Sequence, residues 1–298
     1  MVHTEIQEKK GREYFYRVRV IRKGEKVRKE RIYLGVNLNK EELKKKEKDA
    51  DKKLKIFEAM LSVEEIKFLE EIKKDFSKEP KENFENRYEA FCSLFTYDST
   101  GIEGNTLTLS ETSFLLFEGI VPKEKSLREI NETINHKKAF DYMLNYNREL
   151  TKEFILELHR LVVFNTLRED LVSQIGKYRN VQVFVGGSVP PNASEVPNKM
   201  AHLLKWCSTN KSKLNPIVLA SYFHTEFEKI HPFVDGNGRV GRLLINFILH
   251  KNKYPMINIP KRRRFKYYEV LQKAQYQEDL KPFISSLINI LKKDKLRF

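Results

Sequence analysis

The segment from His231 to Arg242 carries the residue types that chemistry on a phosphate needs. It begins with a titratable imidazole, contains a carboxylate and a glycine on each side of Asn237, and ends with two arginines. A glycine-rich turn lets consecutive backbone N–H groups converge on an anion. Arg239 and Arg242 are three residues apart, so they share one helix face and can bind successive phosphates. The segment therefore predicts metal-assisted chemistry on a nucleotide.

Two helices must position this turn. Apolar residues recur at helical spacing before it, and a longer apolar run comes after it, so that a helix N-terminus faces the turn. The residues are Leu219, Phe223, Phe227 and Ile230 before the turn, and Leu243, Leu244, Ile245, Phe247, Ile248 and Leu249 after it. The preceding helix excludes the dinucleotide-binding glycine motif, which needs a strand there.

Two other glycine-rich motifs overlap the turn and are excluded by the residues that accompany them. A Walker loop needs Lys followed by Ser or Thr, where this chain has Arg242 and Leu243. A calcium loop needs Gly at its sixth position and Glu at its twelfth, where this chain has Val240 and Asn246.

The segment from His231 to Arg242 resembles the core motif of the Fic family, His-x-Phe-x-Asp/Glu-Gly-Asn-Gly/Lys-Arg-x-x-Arg, at every defined position. The resemblance covers the chain from Phe91 to Pro255 and includes Leu158-His159, Gly176-Lys177-Tyr178-Arg179, Val183-Phe184-Val185 and Pro190-Pro191. It implies a mainly α fold with a Fic-type helical core and a β-hairpin flap. It also implies an enzyme that transfers AMP from ATP to a Ser, Thr or Tyr hydroxyl of a target protein and releases pyrophosphate.

The resemblance assigns the catalytic base and the metal ligand. A neutral hydroxyl is a poor nucleophile, and the imidazole of His231 can take its proton near neutral pH. Asp235 is an oxygen ligand suited to Mg²⁺. The ion would bridge the α- and β-phosphates and offset charge on the leaving group. Phe233 is expected to anchor the turn in the core.

The resemblance also assigns the phosphate-binding residues. Asn237 and the backbone N–H groups of Gly236 and Gly238 would hold the α-phosphate, where charge develops in the transition state. Arg239 would contact the β-phosphate and Arg242 the terminal phosphate. Other phosphate-containing donors stay open as an alternative, although Gly238 and the two arginines favour ATP-type triphosphates.

A second motif lies at Ser99-Thr100-Gly101-Ile102-Glu103-Gly104-Asn105. It resembles the inhibitory motif (Ser/Thr)-x-x-x-Glu-Gly/Asn that many Fic proteins carry. Ser99 and Glu103 are four residues apart, so one helix face carries both, and Gly104 is a good helix terminator. In the family this glutamate forms a salt bridge with the second arginine of the core motif, here Arg242, and blocks docking of the γ-phosphate.

This pairing predicts autoinhibition. If Glu103 competes with the terminal phosphate for Arg242, a coupling free energy of about 1–3 kcal/mol would change the affinity for productively bound nucleotide about 5–150-fold. A further hypothesis is that Glu103 activates water to remove AMP from modified targets, as it does in some family members. The sequence leaves the balance of the two directions open.

A short flap is predicted between the two motifs. Valines alternate with polar or aromatic residues, a glycine-rich turn comes next, and two prolines end the segment. In Fic proteins the flap pairs with the backbone of the target, for which an exposed strand edge is suited. A simple connecting hairpin is the alternative. The flap residues are Val183, Phe184, Val185 and Gly186, with Val181 before them and Gly187, Ser188, Pro190 and Pro191 after them.

Composition indicates a soluble protein. The chain has 298 residues, of which 40% are hydrophobic and 33% charged, enough for a core with small appendages. No apolar run approaches the roughly eighteen residues that span a membrane, and the first residues lack a signal-peptide pattern. Cys92 and Cys207 have no CxxC or zinc-type partners, so free thiols and a cytoplasmic location are expected.

The formal net charge of +15 concentrates near the two ends of the chain. Alternation predicts a basic β-hairpin from Tyr14 to Leu34 that turns around Lys23-Gly24-Glu25, followed by a charged helix from Lys40 to Met60. Basic residues 261–264 lie beside Phe265, Tyr267 and Tyr268. Such surfaces bind nucleic acid or serve to keep a protein soluble, and both remain open.

Five segments are predicted. They are a basic β-hairpin module (1–36), a charged helix and linker (37–79), an inhibitory helix region that begins at Pro80 (80–126), a Fic catalytic core (127–255) and a helical C-terminal extension (256–298).

Two functions are therefore predicted. The first is an autoinhibited protein adenylyltransferase that uses ATP and Mg²⁺ and acts on a target protein, with self-modification as a further outcome. The alternative is a nucleic-acid-associated regulator in which the Fic-like core senses nucleotide.

Overall fold

The computed structural model describes residues 2–9, 11–23, 26–56, 60–186 and 189–293. The chain divides into two compact units, of which the first ends at Ser62 and the second begins at Val63. Helices dominate the second unit, so the predicted mainly α class is confirmed. Among the described helices, none has the length and apolar character needed to cross a membrane. The five-segment division stays a prediction.

The first unit is an antiparallel sheet followed by a helix. The elements are β1 (Val2–Lys9), β2 (Arg12–Lys23), β3 (Lys26–Val36) and α1 (Lys40–Ile56). The strand order is β1-β2-β3, and the predicted hairpin is formed by β2 and β3. Its turn residues Gly24 and Glu25 lie outside the described residues. Strand β1, which pairs with β2 along its length, was not predicted, because few of its residues are apolar.

Apolar side chains join α1 to the sheet. Phe15, Leu34 and Ala50 are buried together, and Arg17 on β2 lies 3.2 Å from Glu47 on α1. A register shift occurs after Phe15, which bulges β3 at Leu34 and turns both side chains toward the helix. The predicted charged helix is therefore the second layer of this unit. It is described to Ile56, and residues 57–59 lie outside the described ranges.

The second unit contains the remaining elements. They are α2 (Val63–Lys78), α3 (Lys81–Ile102), α4 (Leu109–Ser113) with a π-helical turn (Phe114–Glu118), α5 (Leu127–Asn145), α6 (Lys152–Val163), α7 (Val196–Asn210), α8 (Pro216–Ile230), α9 (Asn237–Lys251), α10 (Arg264–Tyr276) and α11 (Lys281–Lys293). Short 3₁₀ turns lie at Glu169–Gln174, Ala193–Glu195 and Lys261–Arg263.

Helix α9 is the centre of this unit. It packs against α3, α5, α6 and α8 and is buried on nearly all sides. Leu243, Leu244 and Leu249 are completely buried. After Arg242 the helix carries apolar side chains in nearly every direction, and such a segment is stable only when other elements surround it. Truncating one of these leucines to Ala would cost about 2–5 kcal/mol.

Helix α3 presents the predicted inhibitory motif. Phe91 and Phe95 are buried, with ring centroids 5.7 Å apart, and they fix the helix face that carries Ser99. The helix ends at Ile102, and Gly104 lies just beyond it with a φ of 106°. Only glycine adopts this conformation without strain, so the predicted terminator is confirmed.

Candidate active site

His231 terminates α8 in a left-handed conformation, with a φ of 49°. Its N–H donates to the carbonyl of Phe227 at 2.9 Å, and its own carbonyl accepts a hydrogen bond from Arg179 Nε at 2.8 Å. A non-glycine residue in this region costs about 1–3 kcal/mol, so the surrounding contacts must hold it there. This left-handed conformation turns the chain away from α8 and into the loop before α9.

The imidazole of His231 is held neutral. Burial lowers its pKa to about 4, although a hydrogen bond to the backbone carbonyl of Glu228 acts in the opposite direction. Arg179 lowers the pKa further, whereas the Glu103 and Asp235 carboxylates raise it. One ring nitrogen therefore donates to the carbonyl, and the other is left to act as a base.

The loop after His231 is closed by Asn237 and Phe233. The Asn237 side-chain oxygen accepts from the Phe233 N–H at 2.9 Å, and its amide nitrogen donates to the Phe233 carbonyl at 2.9 Å. Phe233 is completely buried and stacks on His159 with ring centroids 3.8 Å apart. Asn237 thus shapes the turn, and its contact with an α-phosphate stays a prediction.

Gly236 begins α9 with a φ of 79°. A Cβ atom there would lie 2.7 Å from Val163 Cγ1, so both backbone conformation and close packing on α6 require glycine. The first N–H groups of α9 have no partner within the helix and bear its positive dipole end. This helix start is therefore suited to bind an anion.

Arg239 lies in a negative cluster. It is 2% exposed, and its guanidinium lies 3.0 Å from Asp235 Oδ1 and 3.6 Å from Glu132 Oε1. Among the described residues, its Nε and Nη1 atoms have no hydrogen-bond partner. Buried donors without a partner are costly, and an anionic ligand would satisfy them.

Arg242, one turn later, has different partners. Its Nε donates to Ser99 Oγ at 3.0 Å, and its Nη2 donates to the Ser99 carbonyl at 2.7 Å and to Glu103 Oε1 at 2.8 Å. Burial by itself would lower the pKa of Arg242, but Glu103, Tyr267 and Glu228 together outweigh this effect, so the net shift is upward. The structure thus brings together the partners that the inhibitory motif predicts.

Gly238 lies directly beneath this pair. A Cβ atom at this position would overlap the Glu103 carboxylate and would lie 2.9 Å from Arg242 Nη1. Glu103 is therefore seated on the first turn of α9, in the space predicted for the phosphates. Its side chain is 35% exposed, so solvent reaches one side of it.

Asp235 lies at the solvent-facing edge of the loop. Its side chain is 34% exposed, and Oδ2 accepts a hydrogen bond from Arg128 at 3.2 Å. In the described part of the chain, no group of three or more His, Cys, Asp or Glu residues could hold a metal ion. Mg²⁺ commonly uses one or two carboxylates together with substrate phosphates and water, so a single accessible carboxylate fits this ion.

The predicted flap has little regular structure. In the described residues only Val185 forms a β-bridge, instead of the strands that the alternation predicted, and Gly187 and Ser188 lie outside the described ranges. Phe184 and Gly186 are exposed and Val183 is half-buried. A buried arginine and backbone carbonyls hold the segment, which explains how it keeps its shape without strands.

That arginine is Arg179, which lies at the base of the flap and contacts both of its arms. Its guanidinium donates to the Val181 carbonyl at 3.0 Å and to the Pro191 carbonyl at 2.5 Å, while Nε holds the His231 carbonyl. Gln182 Nε2 donates across the flap to the Pro190 carbonyl at 2.9 Å. One cation therefore links the flap to the residue that carries the predicted base.

Four residues of this site were assigned no role from the sequence. Arg179 belongs to a quoted family motif, but its carbonyl contacts have no local signal. The Glu228 side chain is 10% exposed, and its desolvation raises the pKa of its carboxyl to about 8, while Oε2 lies 3.9 Å from His231 Nδ1. Its helical spacing, three residues before His231, could have indicated this proximity. Arg128 and Glu132 reach the site only through the packing of α5.

Comparison with known proteins places this geometry in a family. The Fic/DOC family matches residues 149–249. The chain is 39% identical over 201 residues to the protein adenylyltransferase Fic of Drosophila persimilis, and 38% identical over 201 residues to that of Drosophila melanogaster. Each alignment covers 66% of this chain but only 39% and 40% of the relatives, so the chain spans about two fifths of their length.

Solved structures agree in fold. A Fic domain containing signaling protein from Bacteroides thetaiotaomicron is 30% identical with a TM-score of 0.68, over 76% of this chain and 93% of that chain. Fic-1 from C. elegans is 27% identical with a TM-score of 0.69, over 85% and 75% of the two chains. The sequence motif, the helical core and these matches lead to one assignment: the chain belongs to the Fic/DOC family.

Proposed function

We propose that the chain is an autoinhibited protein adenylyltransferase, which transfers AMP from ATP to a Ser, Thr or Tyr hydroxyl of a target protein. The observation that carries the proposal is the seating of Glu103 on Gly238 and Arg242, next to an α9 N-terminus and a neutral imidazole. The names of the Drosophila relatives, protein adenylyltransferase Fic, support the same activity.

His231 acts as the general base. Its free ring nitrogen accepts the proton of the target hydroxyl while the hydroxyl oxygen attacks the α-phosphate, and pyrophosphate leaves. The hydrogen bond to the Glu228 carbonyl orients the ring during this step. Burial disfavours the imidazolium that forms, and the carboxylates of Glu103 and Asp235 offset part of this cost.

The N-terminus of α9 and two arginines bind the polyphosphate. The N–H groups of Gly236 and Gly238 face the α-phosphate, Arg239 takes the β-phosphate, and Arg242 takes the terminal phosphate. Arg239 Nε and Nη1, which have no hydrogen-bond partner among the described residues, support this assignment. Asp235 would hold Mg²⁺, which supplies charge neutralisation for the leaving group.

Glu103 limits this reaction because it holds the guanidinium that the terminal phosphate needs. Ser99 fixes Arg242 through two further hydrogen bonds, so the terminal phosphate would have to bind Arg242 at the position that Glu103 occupies. Activation therefore requires Glu103 to leave. Once a modified target is bound, the same carboxylate would activate water, which would displace the target hydroxyl from phosphorus and release AMP.

The flap receives the target. Val183, Phe184, Val185 and Gly186 follow Arg179, which contacts the His231 carbonyl, and Phe184 has the highest exposure of the large apolar side chains in the segment. Because Arg179 ties the flap to His231, a target bound there would present its hydroxyl at a fixed distance from the base. Replacing Phe184 by Ala tests this role through the KM for the target.

The activity is tested with ATP that is labelled on the α-phosphate, in the presence of Mg²⁺. We expect label on the chain itself or on added proteins, with a mass gain of one AMP on a hydroxyl residue. His231→Ala should remove the label, whereas His202→Ala, on the exposed face of α7, should retain it. The same label in His231→Ala, or label from the γ-phosphate instead, would contradict the proposal.

Nucleic-acid binding by the first unit is a second candidate. On the sheet, the rings of Tyr14, Tyr16 and Tyr33 cluster with centroids 5.4–6.4 Å apart, and aromatic faces next to basic residues can stack on bases. Binding of a single-stranded oligonucleotide should weaken with salt and with Tyr33→Ala. Equal binding by the wild-type protein and this variant would exclude the candidate.

A cytoplasmic location is proposed on the state of the two cysteines. Cys92 and Cys207 are both buried and free. Burial raises the pKa of both thiols, to about 12 and about 11, so they stay unreactive. Free thiols are typical of a reducing compartment.

A further inference from the structure

Arg128 lies in the first turn of α5 and reaches the edge of the candidate site. Its Nη2 donates to Asp235 Oδ2 at 3.2 Å, and its Nε donates to Glu132 Oε1 at 3.0 Å. Asp235 is 107 residues away in the sequence, so the packing of α5 against α9 creates the contact. The proposed metal ligand is therefore bonded to a cation in the free protein.

The two arginines on Asp235 differ in their freedom to move. Arg239 is 2% exposed and enclosed by the core, whereas Arg128 is 58% exposed. An exposed arginine changes rotamer at small cost, because water replaces its hydrogen bonds. If a cation binds Asp235, Arg128 is the partner that leaves.

Glu132 does not depend on Arg128. Its side chain is 9% exposed, Oε2 accepts from Asn105 Nδ2 at 3.3 Å, and Oε1 lies 3.6 Å from Arg239 Nη1. Departure of Arg128 from Asp235 therefore leaves Glu132 paired. Glu132 also keeps the Arg128 side chain beside the site, because the two residues are one helical turn apart on α5.

The position of Arg128 in α5 is not explained by the helix. The capping box of Ser126 and Glu129 already satisfies the helix start. A cation in the first turn faces the positive end of the helix dipole, which is unfavourable. The carboxylates of Asp235 and Glu132, and not α5 itself, account for an arginine at this place.

Charge determines where the Arg128 guanidinium lies once ligands fill the site. In the free protein, the guanidinium groups of Arg128 and Arg239 balance the carboxylates of Glu132 and Asp235. A divalent cation on Asp235 would face a guanidinium a few ångströms away, and like charges at this distance repel strongly. A triphosphate brings anionic oxygens that accept the released guanidinium.

We propose that Arg128 is a further nucleotide-binding residue, which neutralises Asp235 while the site is empty and moves to the polyphosphate when Asp235 takes a divalent cation. This proposal rests on the proposed function, since it requires the nucleotide to bind at the start of α9. It predicts opposite effects of one substitution on two ligands.

The test compares Arg128→Gln with the control Arg168→Gln in the full chain. Arg168 is also exposed and pairs with Asp170, at the start of a 3₁₀ turn that contributes nothing to the site. Mn²⁺ binding without nucleotide is followed by electron paramagnetic resonance. Binding of a non-hydrolysable ATP analogue with Mn²⁺ is followed by calorimetry in the Glu103→Gly background, where Arg242 is released.

We expect Arg128→Gln to bind Mn²⁺ about 1.5- to 5-fold more tightly and the nucleotide about 1.5- to 5-fold more weakly, since exposed ion pairs contribute about 0.2–1 kcal/mol. Arg168→Gln should change neither. Unchanged affinities, or two changes in the same direction, would overturn the proposal. Neither measurement requires AMP transfer. A protein that transfers no AMP but shows tighter Mn²⁺ binding and weaker nucleotide binding in Arg128→Gln would therefore contradict the proposed reaction and not the role of Arg128.

Discussion

Two arginine–carboxylate pairs occupy the candidate site, and they differ in which partner is buried. In the first pair, Arg242 is 2% exposed and Glu103 is 35% exposed. In the second pair, Arg128 is 58% exposed and Asp235 is 34% exposed. The first arginine is fixed and its carboxylate can leave, whereas in the second pair the arginine can leave. We therefore expect burial, and not the chemistry of the pair, to decide which partner a bound nucleotide would displace.

The environment of each pair explains this difference. Arg242 is held from α3 by Ser99 as well as Glu103, and it also interacts electrostatically with the carboxyl of Glu228. Among the described residues, Arg128 pairs with Glu132 and Asp235 at the protein surface. When the partner of a buried charge is removed, that charge stays in the core without compensation. When the partner of an exposed charge is removed, water solvates the charge that remains.

The largest expected effect is therefore on stability. Arg242→Ala should lower the free energy of unfolding by about 1–3 kcal/mol, because it leaves the hydroxyl and carbonyl of buried Ser99 without their hydrogen-bond donor. Arg128→Ala should change it by at most about 1 kcal/mol. Urea denaturation of both variants at neutral pH measures the contrast. Equal losses would show that the two pairs do not differ as their burial indicates.

An effect of intermediate size is expected from Gly238→Ala. The added methyl group would overlap the Glu103 carboxylate and force it away from Arg242. In the Gly238→Ala background, Glu103→Gly should then change nucleotide affinity little. In the wild-type background, the same substitution should strengthen nucleotide binding by about 1–3 kcal/mol. A double-mutant cycle on nucleotide affinity tests this, and additive effects of the two substitutions would contradict it.

The smallest expected effect is the change of kcat/KM with pH that results from titration of His231. Because burial lowers the pKa of His231 to about 4, the imidazole is already deprotonated throughout the neutral range. Titration of His231 should therefore change the kcat/KM of the Glu103→Gly variant little between about pH 7.5 and about pH 5.5. A loss of activity centred near the ordinary histidine pKa would show that the ring is solvated, contrary to its burial.

The sequence predicts the parts of this site that are local. The residues from His231 to Arg242 form one turn and one helix start, so their spacing alone brings base, carboxylate, glycines and arginines together. Gly104 likewise marks the end of α3 by its own conformational preference. The family resemblance supplied the long-range pairing of Glu103 with Arg242.

Other parts could not be predicted, because they depend on packing between distant elements. The contact of Arg128 with Asp235 requires α5 to lie beside α9, and the carbonyl contacts of Arg179 require the flap to fold over it. No periodicity in the sequence encodes either arrangement. The flap is the opposite case, in which a local pattern was misleading. The alternation around Val183 predicted strands, but hydrogen bonds from the buried Arg179 hold a loop instead.

The decisive experiment is the rate of AMP transfer in the Glu103→Gly variant relative to the wild-type protein, at equal ATP and Mg²⁺. Release of Arg242 to the terminal phosphate should raise the rate about 5–150-fold, and adding His231→Ala should abolish the gain. Equal rates for the wild-type protein and the Glu103→Gly variant would contradict the claim that this carboxylate holds the site closed.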